Sequence, residues 1–126
     1  LGIVHSMAHP LSAVYDIPHG VACAILLTPV LKFNAPSTAD KYRDIAVAMG
    51  VKNTEDMSIE QARQACIEAV EKLSVDVGIP QKLTQLGVKE EDLQFLSESA
   101  FVDACTPGNP RDVSVEAIKE IYKSIM

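Results

Sequence analysis

LGIVHSMAHPLSAVYDIPHGVACAILLTPVLKFN, residues 1–34, holds every histidine of the chain: His5, His9 and His19. Histidine is the commonest transition-metal ligand and the usual proton carrier near neutral pH, so three of them in one short stretch point to a site. His5 and His9 stand four apart, which on a helix puts both rings on one face, one turn above the other. Pro10 removes a backbone donor, so a helix that continues through it is kinked or packed by neighbours. Tyr15-Asp16-Ile17-Pro18 reads as a break, because the residue before a proline avoids the helical region, and Asp16 is read as a turn residue. His19 and Gly20 open the next apolar segment. Two helices joined by that break bring His19 back over His5 and His9, and all three side chains are expected in one cavity between them. Spacing alone picks His5 and His9 as a chelating pair.

Outward from this stretch, the chain reads as helices throughout. His19 to Phe33 is apolar almost all round, as a central buried helix should be. Asp40 to Met49 sets Tyr42, Ile45, Ala46 and Met49 on one face, and Gly50 ends it. Ser58-Ile59-Glu60-Gln61 matches a capping box and starts a helix with Ala62, Cys66, Ala69, Val70, Leu73 and Val77 on one stripe. Gly78-Ile79-Pro80 stops it. Leu83 to Leu86 is a short helical piece closed by Gly87. Lys89 to Ala104 is expected as one helix with Leu93, Leu96, Ala100 and Phe101 inward. Thr106 to Asp112 is a loop, and Ser114 caps a last helix whose apolar face is Ile118, Ile121, Tyr122 and Ile125. There is no alternating strand pattern of useful length. The fold class is all-α, a helical bundle.

A length of 126 residues suits one domain, and 48% hydrophobic content supplies a real core. The net charge of −6 argues against nucleic acid or an anionic membrane as a partner, since both call for a basic surface. Cys23, Cys66 and Cys105 are widely spaced and odd in number, which favours free thiols in a reducing cytoplasm over a disulfide framework. No apolar run approaches the ~20 residues of a membrane helix, the longest being Val21 to Leu27. The first residue is Leu1, and apolar helical sequence follows at once without a cap. On that ground residues 1–126 are expected to be a helical domain that is incomplete at its N-terminal side. No Gly-rich phosphate loop is present, so residues that bind a nucleotide are expected outside this chain.

The first 34 residues resemble the metal-binding signature of the iron-containing alcohol dehydrogenase family, which includes lactaldehyde reductases and propanediol dehydrogenases. The family pattern is roughly G-x-x-H-x-x-x-H-x-x-G, a spacer, P-H-G, small residues, and an apolar run ending in Asn. Gly2, His5, His9, Pro18, His19, Gly20 and Asn34 fall on it in register. Cys105 to Arg111, Cys-Thr-Pro-Gly-Asn-Pro-Arg, resembles the family's C-terminal loop. Two positions depart: Ser12 stands where glycine is usual, and Pro29 comes one place late, after Thr28.

The resemblance implies the C-terminal helical metal-binding domain of the dehydroquinate synthase-like, iron alcohol dehydrogenase fold. The nucleotide-binding domain is then absent from this chain. By that match His5 and His19 are metal ligands, and His9 lies beside them near nicotinamide and substrate as a catalytic group. An Asp and a His from a preceding helical segment would complete the metal shell. The implied cofactors are Fe(II), with Zn(II) equally suited to imidazole and carboxylate ligands, and NAD(P) held mainly by the N-terminal domain. The implied partners are a small alcohol or diol and its aldehyde, with a homo-oligomeric enzyme in the cytoplasm. The chain alone is expected to be inactive and to bind divalent metal weakly. The resemblance also places Cys105 near the substrate pocket, although a small structural residue at a helix end reads equally well. Arg111 is expected to hold its loop through a carboxylate. The alternative is a non-catalytic helical interaction module with core histidines. The signature register and the Asn-Pro-Arg loop favour the enzyme.

Overall fold

A computed structural model describes residues 2–126, and each regular element among them is helical. The six α-helices are α1 (Gly2–Tyr15), α2 (His19–Asn34), α3 (Lys41–Ala48), α4 (Ile59–Asp76), α5 (Leu93–Phe101) and α6 (Val115–Ser124). Short 3-10 turns at Ala35–Ser37, Thr54–Asp56, Leu83–Leu86, Glu90–Asp92 and Thr106–Gly108 link them.

Pro10 does not end α1: the helix runs through it with Pro10 buried among its neighbours, the arrangement that tolerates a missing donor. The stop comes at Asp16, whose φ of 56° leaves the helical region while its N–H still donates to the Ser12 carbonyl at 3.0 Å. Short polar side chains tolerate that left-handed backbone best. Pro18 then precedes α2 with an extended backbone, φ −54° and ψ 136°.

One core joins α1, α2, α5 and α6. Ile3, Met7 and Leu11 of α1 interlock with Ala22, Ile25 and Leu26 of α2, Leu93 and Leu96 of α5, and Ile118 and Tyr122 of α6. The buried Tyr122 hydroxyl donates to the Met7 carbonyl at 2.6 Å, and burial pushes the phenol well above its ordinary range. A second, smaller cluster of Tyr42, Ala46, Cys66 and Ile67 holds α3 to α4. Tyr42 donates to the Leu31 carbonyl at 2.8 Å and so ties that hairpin to α2; desolvation raises its phenol to about 12. The capping box is present, with Gln61 N–H donating to Ser58 Oγ at 3.2 Å and Ser58 N–H to Gln61 Oε1 at 2.9 Å.

Some expected faces turn outward. Phe101, Leu73, Val77, Ile45 and Met49 are exposed rather than buried, because a helix stripe is buried only as far as its partner extends. The expected helix from Lys89 begins instead as the turn Glu90–Asp92 and becomes α5 at Leu93. The Tyr15 hydroxyl sits at this entry, accepting the Lys89 N–H at 3.1 Å and donating to the Asp92 carboxylate. α2 is not buried all round either, since Leu27 is exposed and Val21, Cys23 and Ala24 are half-buried. By length and composition alone, His19–Ser37 is one helix able to cross a membrane, which the run-length reading did not anticipate. In this fold Ala22, Ile25, Leu26 and Val30 of that helix pack into the main core.

Candidate metal centre

The start of α2 faces the first two turns of α1, and the three histidines meet there. Ring centroids are 5.6 Å apart for His5 and His19, 5.7 Å for His9 and His19, and 6.4 Å for His5 and His9. The convergence expected from the i, i+4 pair and the Pro18-His19 entry is therefore present. Its geometry depends on a tie remote in sequence. Asn109 and Asn34 exchange two side-chain amide hydrogen bonds, 3.0 Å and 2.8 Å, and Asn109 Oδ1 also accepts the Ile3 N–H at 3.4 Å. One side chain thus clamps the start of α1 to the end of α2. Gly2 sits against it with φ +67°, where a Cβ would stand 3.1 Å from Asn109 Oδ1; glycine alone fits without strain.

Arg111 does not meet a carboxylate. Its Nη1 donates to the Phe33 carbonyl at 2.7 Å, and its guanidinium lies 4.2 Å from the Phe33 ring centroid, so it secures the loop to α2 through backbone and ring. Beneath the loop the Thr106 hydroxyl donates to the Ala100 carbonyl at 2.6 Å and lies 2.8 Å from the buried Ser6 hydroxyl.

The histidines differ in their surroundings. His5 Nδ1 is buried without a hydrogen-bond partner, an unsatisfied nitrogen of the kind that a ligand or ion completes. His19 is exposed, and 3.5 Å from its Nε2 lies the Cys23 Sγ, one turn along α2. One donor atom each from His5, His19 and Cys23 lies within 4.8 Å of the others, and no further donor of the described residues joins that group. Burial pushes the Cys23 thiol up. His9 instead turns toward α5: its Nδ1 is 2.7 Å from a carboxylate oxygen of Asp103. That hydrogen bond, reinforced by the Cys105 backbone N–H, holds the Asp103 carboxyl below its ordinary value. Beside the pair lies a hollow of about 260 Å³ lined by His9, Pro10, Val14, Phe95, Ser99 and Asp103. Cys105 is half-buried at the end of this loop, and desolvation raises its thiol.

A divalent ion fits the donors present. Donor atoms of two imidazoles, one from each helix, lie within 4.8 Å of one another, one of the rings carries an unsatisfied nitrogen, and neutral imidazole suits iron or zinc. Sequence reasoning missed two residues. Asp103 lies 94 residues from His9, and no local spacing signals it. Cys23 carried a signal, since it stands at i+4 from His19 just as His9 does from His5.

The whole chain, residues 1–126, matches the model of the Fe-containing alcohol dehydrogenase family, C-terminal. It is 56% identical over 122 residues to lactaldehyde reductase of Escherichia coli (strain K12), covering 97% of this chain and 32% of that protein. It is 35% identical over 126 residues to NAD-dependent methanol dehydrogenase of Bacillus methanolicus, covering 100% of this chain and 33% of that protein. Its structure superposes on the crystal structure of a 1,3-propanediol oxidoreductase with a TM-score of 0.96 at 42% identity, over 100% of this chain and 33% of that one. The chain spans about a third of the length of these relatives. It belongs to the Fe-containing alcohol dehydrogenase family, of which it is the C-terminal, all-helical part.

Proposed function

We propose that this chain is the metal-binding part of an NAD(P)-dependent alcohol dehydrogenase that interconverts a small alcohol or diol and its aldehyde. The observation that carries the reading is the convergence of His5, His9 and His19 from two helices, with ring centroids no more than 6.4 Å apart. His5 and His19 hold the ion, and an Asp and a His from the portion of the relatives that this chain does not span complete its shell. NAD(P) is bound mainly by that same portion. When bound, the ion supplies Lewis acidity toward the alcohol oxygen, and the nicotinamide accepts the hydride.

The chain's own residues then handle the proton. Asp103 accepts from His9 Nδ1, which assigns the neutral ring its free lone pair on Nε2. That nitrogen takes the alcohol proton, and the carboxylate behind the ring stabilises the charge it gains, the logic of a carboxylate-backed histidine base. The His9 side chain is 44% exposed, so the proton passes on to water. The hollow beside the pair, apolar at Val14 and Phe95, lies where the carbon end of a small substrate can rest. The uncovered Leu27 side of α2 supports association with the rest of a longer protein or with a second copy, and the free thiols support a reducing compartment.

In the longer enzyme, His19→Ala abolishes metal retention. His9→Ala keeps the metal and lowers turnover by about 10²–10⁴-fold, the usual contribution of a positioned acid–base group. Metal content and turnover measured on both variants test this. Equal loss of metal in both makes His9 a ligand and removes the proton role.

A further inference from the structure

We infer that the apolar groove between α2 and α4 seats a helix from the portion of the relatives that this chain does not span, and that this helix runs along α2 from the histidine centre. The inference rests on the reading of that portion as the source of the remaining metal ligands and adds where it docks. The groove is an open hollow of about 210 Å³ lined by Ala24 and Leu27 of α2, Val70 and Leu73 of α4, and Val77 and Ile79 just beyond α4. Leu27, Leu73 and Val77 are 41%, 50% and 64% exposed, so large aliphatic side chains from two elements stand in water side by side. Apolar surface that is contiguous rather than scattered marks a contact face. None of the lining side chains carries a charge, so the groove has nothing with which to hold a phosphate, a carboxylate or a nucleotide. What fits it is the apolar face of a helix, anchored by side chains at i, i+3, i+4 and i+7.

The choice of occupant comes from α2. His19, Cys23 and Leu27 stand four apart in turn, so they form one ridge along that helix. The ridge begins at the exposed His19 ring, passes the half-buried Cys23 and ends in the groove wall at Leu27, a run of about 12 Å at 1.5 Å per residue. A segment that brings further ligands to His19 approaches the first end of this ridge. A helix continuing along it covers Cys23 and then reaches the groove. The relatives have the length for such a helix, since the chain spans about a third of them. A second copy seated in the groove leaves the metal end of the ridge open and the ligand shell incomplete. In residues 2–126 by themselves the groove side chains stand partly in water, so truncating one there costs little; under a docked helix they become core.

The test is thiol labelling of the longer protein carrying Val77→Cys or Val75→Cys, with the modified residue identified by peptide mass. Val75 is 55% exposed in the last turn of α4, two residues from Val77 and so on the opposite side of the helix, outside the groove. Val77→Cys reacts with a maleimide about tenfold or more slowly than Val75→Cys, because a covered position reacts only when the contact opens, and the protection persists on dilution. Equal rates at the two positions overturn the inference. Protection that fades on dilution, with light scattering showing dissociation, puts a second copy in the groove and overturns it as well. Labelling needs no metal, so the two readings fail separately. Protection in a protein that retains no metal keeps the groove assignment and removes the functional reading, while equal rates in a metal-loaded enzyme do the reverse.

Discussion

The α1–α2 end of the molecule and the α3–α4 hairpin are both built from amphipathic helices, yet they are held in different ways. Around α1 and α2, aliphatic side chains from four helices close a dry core, and distant polar groups stitch it: Tyr122 to Met7, Asn109 to Asn34, Thr106 to Ala100. The hairpin has Tyr42, Ala46, Cys66 and Ile67 as its buried cluster and leaves Val47, Leu73, Val75 and Val77 in solvent. Its side-chain ties stay within the hairpin: Arg43 pairs with Asp40 at 2.8 Å and donates to the Met57 carbonyl at 2.9 Å, and Arg63 pairs with Glu60 at 2.8 Å and donates to the Ala39 carbonyl at 2.8 Å. The three histidines lie in the first region. The second is attached to it through the Tyr42 hydroxyl and through Leu31 of α2, which packs against its cluster.

The contrast is broken or sharpened first by truncation. Leu96→Ala removes a fully buried side chain of the main core and costs about 2–5 kcal/mol. Leu73→Ala, half-exposed in α4, changes stability by no more than about 0.5 kcal/mol. Urea unfolding followed by circular dichroism measures both, and equal losses erase the distinction between the two regions.

Next comes the polar tie. Asn109→Ala leaves the Asn34 amide and the Ile3 N–H without their partner, at a cost of about 1–3 kcal/mol. It also displaces His5 relative to His19. The expected readout is a lower urea midpoint together with weaker metal retention in the longer enzyme. A lower midpoint with unchanged metal retention denies Asn109 any part in placing the site.

Ser58→Ala deletes the α4 cap and costs about 0.5–2 kcal/mol with no change in metal retention, because the cap lies on the hairpin. A loss of metal in this variant shows that the two regions communicate. The smallest effect is that of acid on the His9–Asp103 contact. Asp103 is held below its ordinary carboxyl value in the folded chain. Its stabilisation is therefore complete above the unfolded value of about 3.9 and fades as pH falls through the lower folded one. Carboxyl carbon shifts in a nuclear magnetic resonance titration report this, and an Asp103 midpoint at or above about 4 removes the contact.

The helices were legible in the sequence because their signals are local: a capping box at Ser58, stops at Gly78 and Gly87, and apolar spacing along α6. The histidine convergence was legible for the same reason, from His5 to His9 and then across the Pro18 break. Burial was less so. Leu73 and Val77 continue the stripe begun by Cys66, but they line an open apolar hollow with Ala24 and Leu27 of α2. Phe101 likewise lies at the end of α5, beyond the reach of its partners. Asp103 was out of reach because a contact across 94 residues leaves no trace in spacing. Cys23, by contrast, was in plain view four residues after His19.

The paired amides of Asn34 and Asn109 carry no net charge. Neither salt, which screens exposed charges within about 10 Å at 0.1 M, nor acid weakens the clasp that orients the two helices. The neighbouring His9–Asp103 contact answers to both. The molecule therefore separates its ruler from a charge-dependent contact: acid that protonates Asp103 loosens its hold on His9 while the separation of His5 and His19 stays as built.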